Sequence, residues 1–361
     1  MMICSALALA CGIAARGLAA DALPLAVSVT GSVDTAYTYN LARPADRLNA
    51  YRVFDSRHNT MDLRLVDLIV QRPATLPGSA GFRVDVDLGQ DVPVFQASGL
   101  NPGGIVDLQQ AMAIWVAPVG SGLTLSAGKF VTLHGAEVIE SADDWNSSRS
   151  FLFGYAIPFT HTGISAAYAW GPAFSATLAL VNGWDNVVDN NRGKTGHAMV
   201  KIAPDVKASV VLSGSYGPEH TGRDGEMRWL GDAVCMAGPF GGVTLALNGD
   251  FAGDAAGGAG PDSGSYAHWA GAAAYLRYEP ADAFAATARW EIFQDGQGAR
   301  TGLHQILREA TLTLAYRPSA AFETRLEIRR DTSGAAVFSG STGPGIKNQQ
   351  DTLSLEILSR F

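Results

Sequence analysis

Between residues 322 and 329 the chain sorts its side chains onto two faces. Phe322, Leu326 and Ile328 alternate with Glu323, Arg325, Glu327 and Arg329. Successive side chains of an extended strand point to opposite sides, so this stretch builds a ribbon that is apolar on one face and ionic on the other. A helix would scatter both sets around its circumference. The pattern recurs. Phe82, Val84, Val86 and Leu88 alternate with Arg83, Asp85 and Asp87, and Val206, Ala208, Val210 and Leu212 with Lys207, Ser209 and Ser213. Phe284, Ala286, Ala288, Trp290 and Ile292 oppose Thr287, Arg289 and Glu291, while Leu312, Leu314 and Tyr316 oppose Thr311, Thr313 and Arg317. Such repetition predicts an all-β fold, either a soluble sandwich or a transmembrane barrel whose polar face lines a wet lumen. Periodicity alone does not separate the two.

The connections do. Alternation marks about sixteen strands, near 26–40, 60–71, 81–90, 107–117, 122–130, 156–169, 173–182, 194–203, 206–216, 226–237, 241–251, 265–279, 283–294, 306–317, 321–331 and 350–361. Short turns read at Pro118-Val119-Gly120, Gly171-Pro172, Pro204-Asp205, Gly238-Pro239, Pro280-Ala281-Asp282 and Pro318-Ser319. Between them lie long polar segments such as 183–193, 252–264, 295–305 and 332–349. An even strand number, short turns at one end and long loops at the other is the plan of an outer-membrane antiparallel β-barrel with both termini on the periplasmic side. Strands of this length cross a bilayer when tilted. Tyr37, Tyr39, Tyr168, Trp170, Tyr216, Tyr275, Tyr278 and Tyr316 are candidates for interface girdles.

Composition supports this reading. Beyond the first twenty residues no run reaches the about 18 apolar residues a spanning helix needs. The net charge of −8 denies the chain the basic footprint of a nucleic-acid binder. The 41 glycines suit turns and strand bends. At the start, Ile3 to Ala15 form an apolar run followed by Gly17-Leu18-Ala19-Ala20-Asp21-Ala22, so residues 1–22 read as a cleaved signal peptide and 23–361 as the barrel. The basic n-region is missing, because Arg16 is the sole basic residue there and stands on the wrong side. Cys4 and Cys11 fall in this leader, which leaves Cys235 alone in the mature chain, with no disulfide or cysteine-based metal site. The last residues, Leu353 to Phe361, alternate up to a terminal aromatic, the arrangement seen in barrels delivered to the outer-membrane assembly machinery.

Residues 128–185 resemble the OmpL-like family of β-barrel porins of Gram-negative bacteria. The matching residues are Gly128-Lys129-Phe130, Gly135-Ala136-Glu137, Asn146, Ser148-Arg149-Ser150, Phe153, Pro158-Phe159-Thr160-His161-Thr162-Gly163 and Asn182-Gly183-Trp184-Asp185. Plan and length agree over most of the mature chain. The resemblance implies an outer-membrane channel, and supplies neither a substrate nor a catalytic residue.

The segment 131–155 is the longest connection and would be the third external loop. By similarity of position with general porins it is expected to fold inward and narrow the lumen. Glu137, Glu140, Asp143 and Asp144 would line one side. Arg149, with the lumen residues Lys129, Arg83, Arg289 and Arg325, would line the other. Opposed charges across a constriction set a transverse field that filters solutes. Trp145, Phe151 and Phe153 would wedge the loop against the wall.

Other constellations are weaker. His134 and His161 lack metal-ligand spacing. The oxygen-rich run Asp185 to Asn191 lacks the glycine and closing glutamate of a calcium loop. Thr162-Gly163-Ile164-Ser165 is not a nucleophile elbow. The expectation is therefore a porin, not an enzyme and without a cofactor, passing small hydrophilic solutes or ions by passive diffusion through a water-filled pore. Its partners would be outer-membrane lipid and, through Phe361, the barrel assembly machinery. A homotrimer is common among porins of this strand number, and no sequence feature here decides it. The alternatives are a substrate-selective channel, a non-conducting structural or adhesin barrel, and a soluble secreted sandwich.

Overall fold

The computed structural model describes residues 26–100 and 104–361, so the leader read at 1–22 lies outside the described residues. Sixteen strands close into one antiparallel barrel. They are β1 (Ser28–Asn40), β2 (Thr60–Arg72), β3 (Ala80–Leu88), β4 (Val106–Ala117), β5 (Leu123–Val131), β6 (Thr160–Gly171), β7 (Phe174–Val181) and β8 (Thr195–Asp205). The second half comprises β9 (Ala208–His220), β10 (Arg223–Phe240), β11 (Val243–Asp254), β12 (Ala267–Ala281), β13 (Phe284–Asp295), β14 (Gln305–Ser319), β15 (Phe322–Ser333) and β18 (Gln349–Arg360). Between β15 and β18, β16 (Phe338–Gly340) and β17 (Gly343–Lys347) form a small separate hairpin that the alternation did not predict.

Closure joins the chain's two ends. In the β1–β18 pair, Ser32 faces Arg360 and Asn40 faces Thr352. Beyond the last strand residue, Gly31 and Phe361 exchange both backbone hydrogen bonds at 3.0 Å. Gly31 is required there: a Cβ would stand 2.2 Å from the Asp67 carbonyl and 2.7 Å from Phe361 Cζ. A closed sheet has no edge to leave backbone groups unpaired, which is the condition for crossing lipid with strands.

Burial decides between sandwich and barrel, because it is inverted relative to a soluble protein. Along β15, Glu323, Arg325, Glu327, Arg329 and Asp331 are buried, whereas Leu326 and Ile328 are about half exposed. On β13, Arg289 and Glu291 are buried and Trp290 is exposed. Water outside would penalise this arrangement; a hydrocarbon shell outside and a polar lumen inside reward it. Trp170, Phe174, Tyr278, Phe284 and Tyr316 are exposed close to the short turns and make a girdle at that end. Tyr275, read from sequence as a girdle residue, is instead buried on the inner face.

The prolines sit slightly off the turns they were read as. Pro204, Pro239, Pro280 and Pro318 belong to strand ends, and the pairing shifts register beside each before resuming at the turn. Proline has no N–H to give a ladder, so a bulge is where a strand tolerates it. The tight turns are 206–207, 241–242, 282–283 and 320–321. At the opposite end lie the longer segments 41–59, 89–105, 132–159, 182–194, 255–266, 296–304 and the 334–348 stretch that holds the hairpin. One connection there is short. β9 and β10 run on past 216 and 226 until His220 pairs with Arg223.

Candidate functional site

The connection 132–159, between β5 and β6, has little regular structure of its own beyond a 3-10 turn (Ser141–Asp143) and a π-helical turn (Leu152–Ala156). Its backbone groups therefore need partners elsewhere, and carboxylates of the barrel supply them in pairs. Glu327 on β15 accepts the N–H groups of Ser147 at 2.8 Å and Ser148 at 3.0 Å. Glu291 on β13 accepts those of Phe151 at 2.7 Å and Leu152 at 2.5 Å. Asp185 accepts those of Phe159 and Thr160, both at 2.8 Å, where the segment meets β6. Carbonyls of the segment are met by arginines. Arg325 donates to Ser141 and Asp144, both at 2.9 Å, Arg289 to Ser148 at 2.7 Å, and Arg64 on β2 to Ser147 at 3.0 Å.

Aromatic packing reinforces this attachment. Trp145 meets Tyr275 edge-on with ring centres 6.3 Å apart, and Arg277 stacks over its face. Arg329 covers Phe151, and Phe153 packs edge-on against Phe54 of the first long connection. Leu152 lies against β12 at Gly271, where a Cβ would stand 2.6 Å from its Cδ1. Tyr275, Arg277 and Arg329 are buried on the inner face.

The residues singled out from sequence divide into two groups. Glu137, Asp144, Arg149, Arg289 and Arg325 hold the segment in place. Arg289 bridges Glu137 at 2.6 Å and Glu309 at 2.7 Å. Burial works to raise the Glu137 carboxyl, but Arg289, the Ser150 N–H and Arg149 together hold it below the usual range. Asp144 pairs with Arg149 at 2.8 Å, and Arg149 also donates to the Val138 and Ile139 carbonyls. Arg325 pairs with Glu323 at 2.6 Å and Glu356 at 3.2 Å. Opposite charges in direct contact largely cancel at a distance, so these groups contribute attachment more than field.

Glu140 and Asp143 form the second group. Both are only partly buried. Glu140 turns to the β2–β4 side, where its Oε1 accepts from Gln109 Nε2 at 2.5 Å. Burial, and next the neighbouring Glu140, push the Asp143 carboxyl up to about 6. On that wall Arg83 is held by Asp85 at 2.7 Å, and Lys129 by Asp107 at 2.7 Å.

Sequence reasoning missed Glu291, Glu327 and Arg64, the wall groups that fasten the segment. The two glutamates sit in quoted alternating stretches, but nothing in a strand pattern says which distant amides a polar face will meet. His134 donates to or accepts from Ser213 at 2.7 Å and His197 at 3.1 Å, and burial pushes it down to about 3. The Asp185 carboxylate is engaged by the two amides above, so the oxygen-rich run serves the segment's end.

The family described as "beta-barrel porin-2, OmpL-like" matches residues 26–361. The chain belongs to that family. As an OmpL-like porin it shares its fold with solved outer-membrane channels, although at low identity. The channel DcaP of Acinetobacter baumannii aligns with a TM-score of 0.60 at 12% identity, covering 93% of this chain and 97% of that one. The anion-selective porin from Comamonas acidovorans aligns at 0.63 and 12%, covering 93% and 99%. OprB of Pseudomonas putida aligns at 0.60 and 10%, covering 93% and 94%. No curated protein matches the sequence.

Proposed function

We propose that this OmpL-like porin is a passive diffusion channel of the outer membrane, and that residues 132–159 form its constriction. The observation that carries this reading is the pairing of loop amides with Glu291 and Glu327 on the inner wall. A segment fastened to side chains that face the axis narrows the lumen it crosses, and size sieving follows from geometry alone. The polar inner face supplies the wet lining, and the mechanism requires no chemistry.

The same attachment favours a narrow, solute-selective channel over a wide one, since aromatic side chains fill the space beside β11–β13. Porin-type neighbours include a trimeric form of OmpT from Vibrio cholerae, which supports a homotrimer here. Export through a leader cleaved after Ala20 or Ala22, and delivery to the assembly machinery through Phe361, complete the reading. Phe361 supports it by lying exposed at the seam.

Swelling of liposomes loaded with impermeant sugar tests the function. With the refolded protein, swelling rates should fall steeply as the external sugar grows. Uniform absence of swelling, for the smallest sugar as for the largest, would contradict a diffusion pore.

A further inference from the structure

The outer face of the barrel carries a depression that ends in charge. One line of cross-strand partners runs Leu247, Ala274, Trp290, Ala310, Arg330 and Asp351, from β11 to β18. The line beside it runs Leu276, Ala288, Leu312 and Ile328. Ala274, Ala288 and Ala310 stand among larger side chains, and the shortfall leaves a groove of about 1050 Å³ open to the outside. Along both lines the side chains are apolar up to Arg330 and Asp351. Arg330 lies close to Ser333, the long-loop end of β15. It is paired with Asp351 at 2.6 Å. Arg308 stands diagonally across from it on the same face of β14, and diagonal neighbours are within reach of long side chains. Arg308 is exposed and has neither an ion pair nor a hydrogen bond among the described residues. At this end Tyr216 and Phe251 are exposed on β9 and β11, whereas β14 and β15 present Arg308 and Arg330 outward.

We infer that this groove seats a phosphorylated, acylated lipid of the outer leaflet, its phosphate on Arg308 and Arg330 and an acyl chain along the alanines. Charge complementarity selects the headgroup. An uncompensated arginine on a lipid-facing wall is costly at mid-membrane and tolerated at the interface, where anionic headgroups meet it. A guanidinium also matches phosphate with two parallel N–H donors. The groove selects the rest of the ligand, since an acyl chain lying in it regains the contacts that the small side chains leave unmade. The inference concerns the outer face and stands whether or not the lumen conducts.

Native mass spectrometry of the refolded chain in detergent tests it, with diphosphoryl lipid A and the same lipid stripped of phosphate as probes. The phosphorylated form should bind more tightly. Arg308→Ala should weaken its binding about fivefold and leave that of the stripped lipid unchanged. Ala288→Leu with Ala310→Leu, which fills the groove, should weaken both. An excess of inorganic phosphate should not compete, because it has no chain to lie in the groove. Should the filled variant fail to fold, Arg308→Ala decides alone. Absence of binding, equal affinity for the two lipids, or an affinity unmoved by these substitutions would overturn the inference. So would a filled variant whose oligomeric state changes in light scattering while lipid binding persists, because a second copy would then occupy the groove.

Discussion

The backbone N–H of Ser147 donates to the carboxylate of Glu327 at 2.8 Å, tying together positions 180 residues apart. The same carboxylate accepts the next amide, and Glu291 repeats the device four residues on. A carboxylate that takes two successive amides fixes the direction of the backbone as well as its position, so residues 132–159 are held at two points of one wall.

Removing both carboxylates, with Glu291→Ala and Glu327→Ala, should free the segment without opening the barrel. Hydrogen bonds to charged groups contribute about 1.5–3 kcal/mol each, so losing all four weakens the attachment to this wall. Single-channel records should show larger or flickering conductance, with the folded band still present in unheated electrophoresis. Unchanged, quiet steps would show that the arginine–carbonyl bonds and the aromatic contacts position the segment without these carboxylates.

Glu137 and Glu140, read alike from sequence, should behave differently. Glu137→Gln leaves buried Arg289 short of one counter-charge and should lower stability by about 3 kcal/mol, with little effect on ion preference. Glu140→Gln should change ion preference and leave unfolding by denaturant nearly unmoved. Equal effects of the two on reversal potential would contradict the division into attachment and pathway residues.

Selectivity should depend on pH through Asp143. Burial and Glu140 raise its carboxyl to about 6. Below that pH it is neutral and the gap carries one negative charge fewer. Above it, the charge is restored. The ratio of cation to anion permeability should therefore fall as pH falls through about 6, and Asp143→Asn should flatten that step.

The outer face gives a stability test. Leu326 is about half exposed on β15, and a lipid-facing Arg near mid-membrane costs about 2–4 kcal/mol. Leu326→Arg should lower unfolding stability in vesicles by that order, whereas the same substitution on a water-facing strand would change it little. Denaturant titration in lipid reads the difference.

Most of the barrel was legible because a strand with one lipid face and one lumen face writes its burial into every second residue. The sixteen strands, their order and the alternation of short and long connections follow from that period. The prolines were misplaced by a residue or two because bulge and turn both tolerate a missing N–H. The 338–347 hairpin was invisible since its strands are too short to show a period. The candidate site was legible only as a set of charged residues. Whether Glu137 meets Arg289, or Asp67 faces Asp87, depends on register and on the course of a long loop, and neither is encoded within any one strand.

The most direct measurement is single-channel conductance of the refolded chain in a planar bilayer. Discrete, stable steps are the predicted result, because a closed barrel with a polar inner face and a fastened segment leaves a wet path through the membrane. A protein that folds and inserts but gives no steps would contradict the account and identify the inward-facing side chains as a plug.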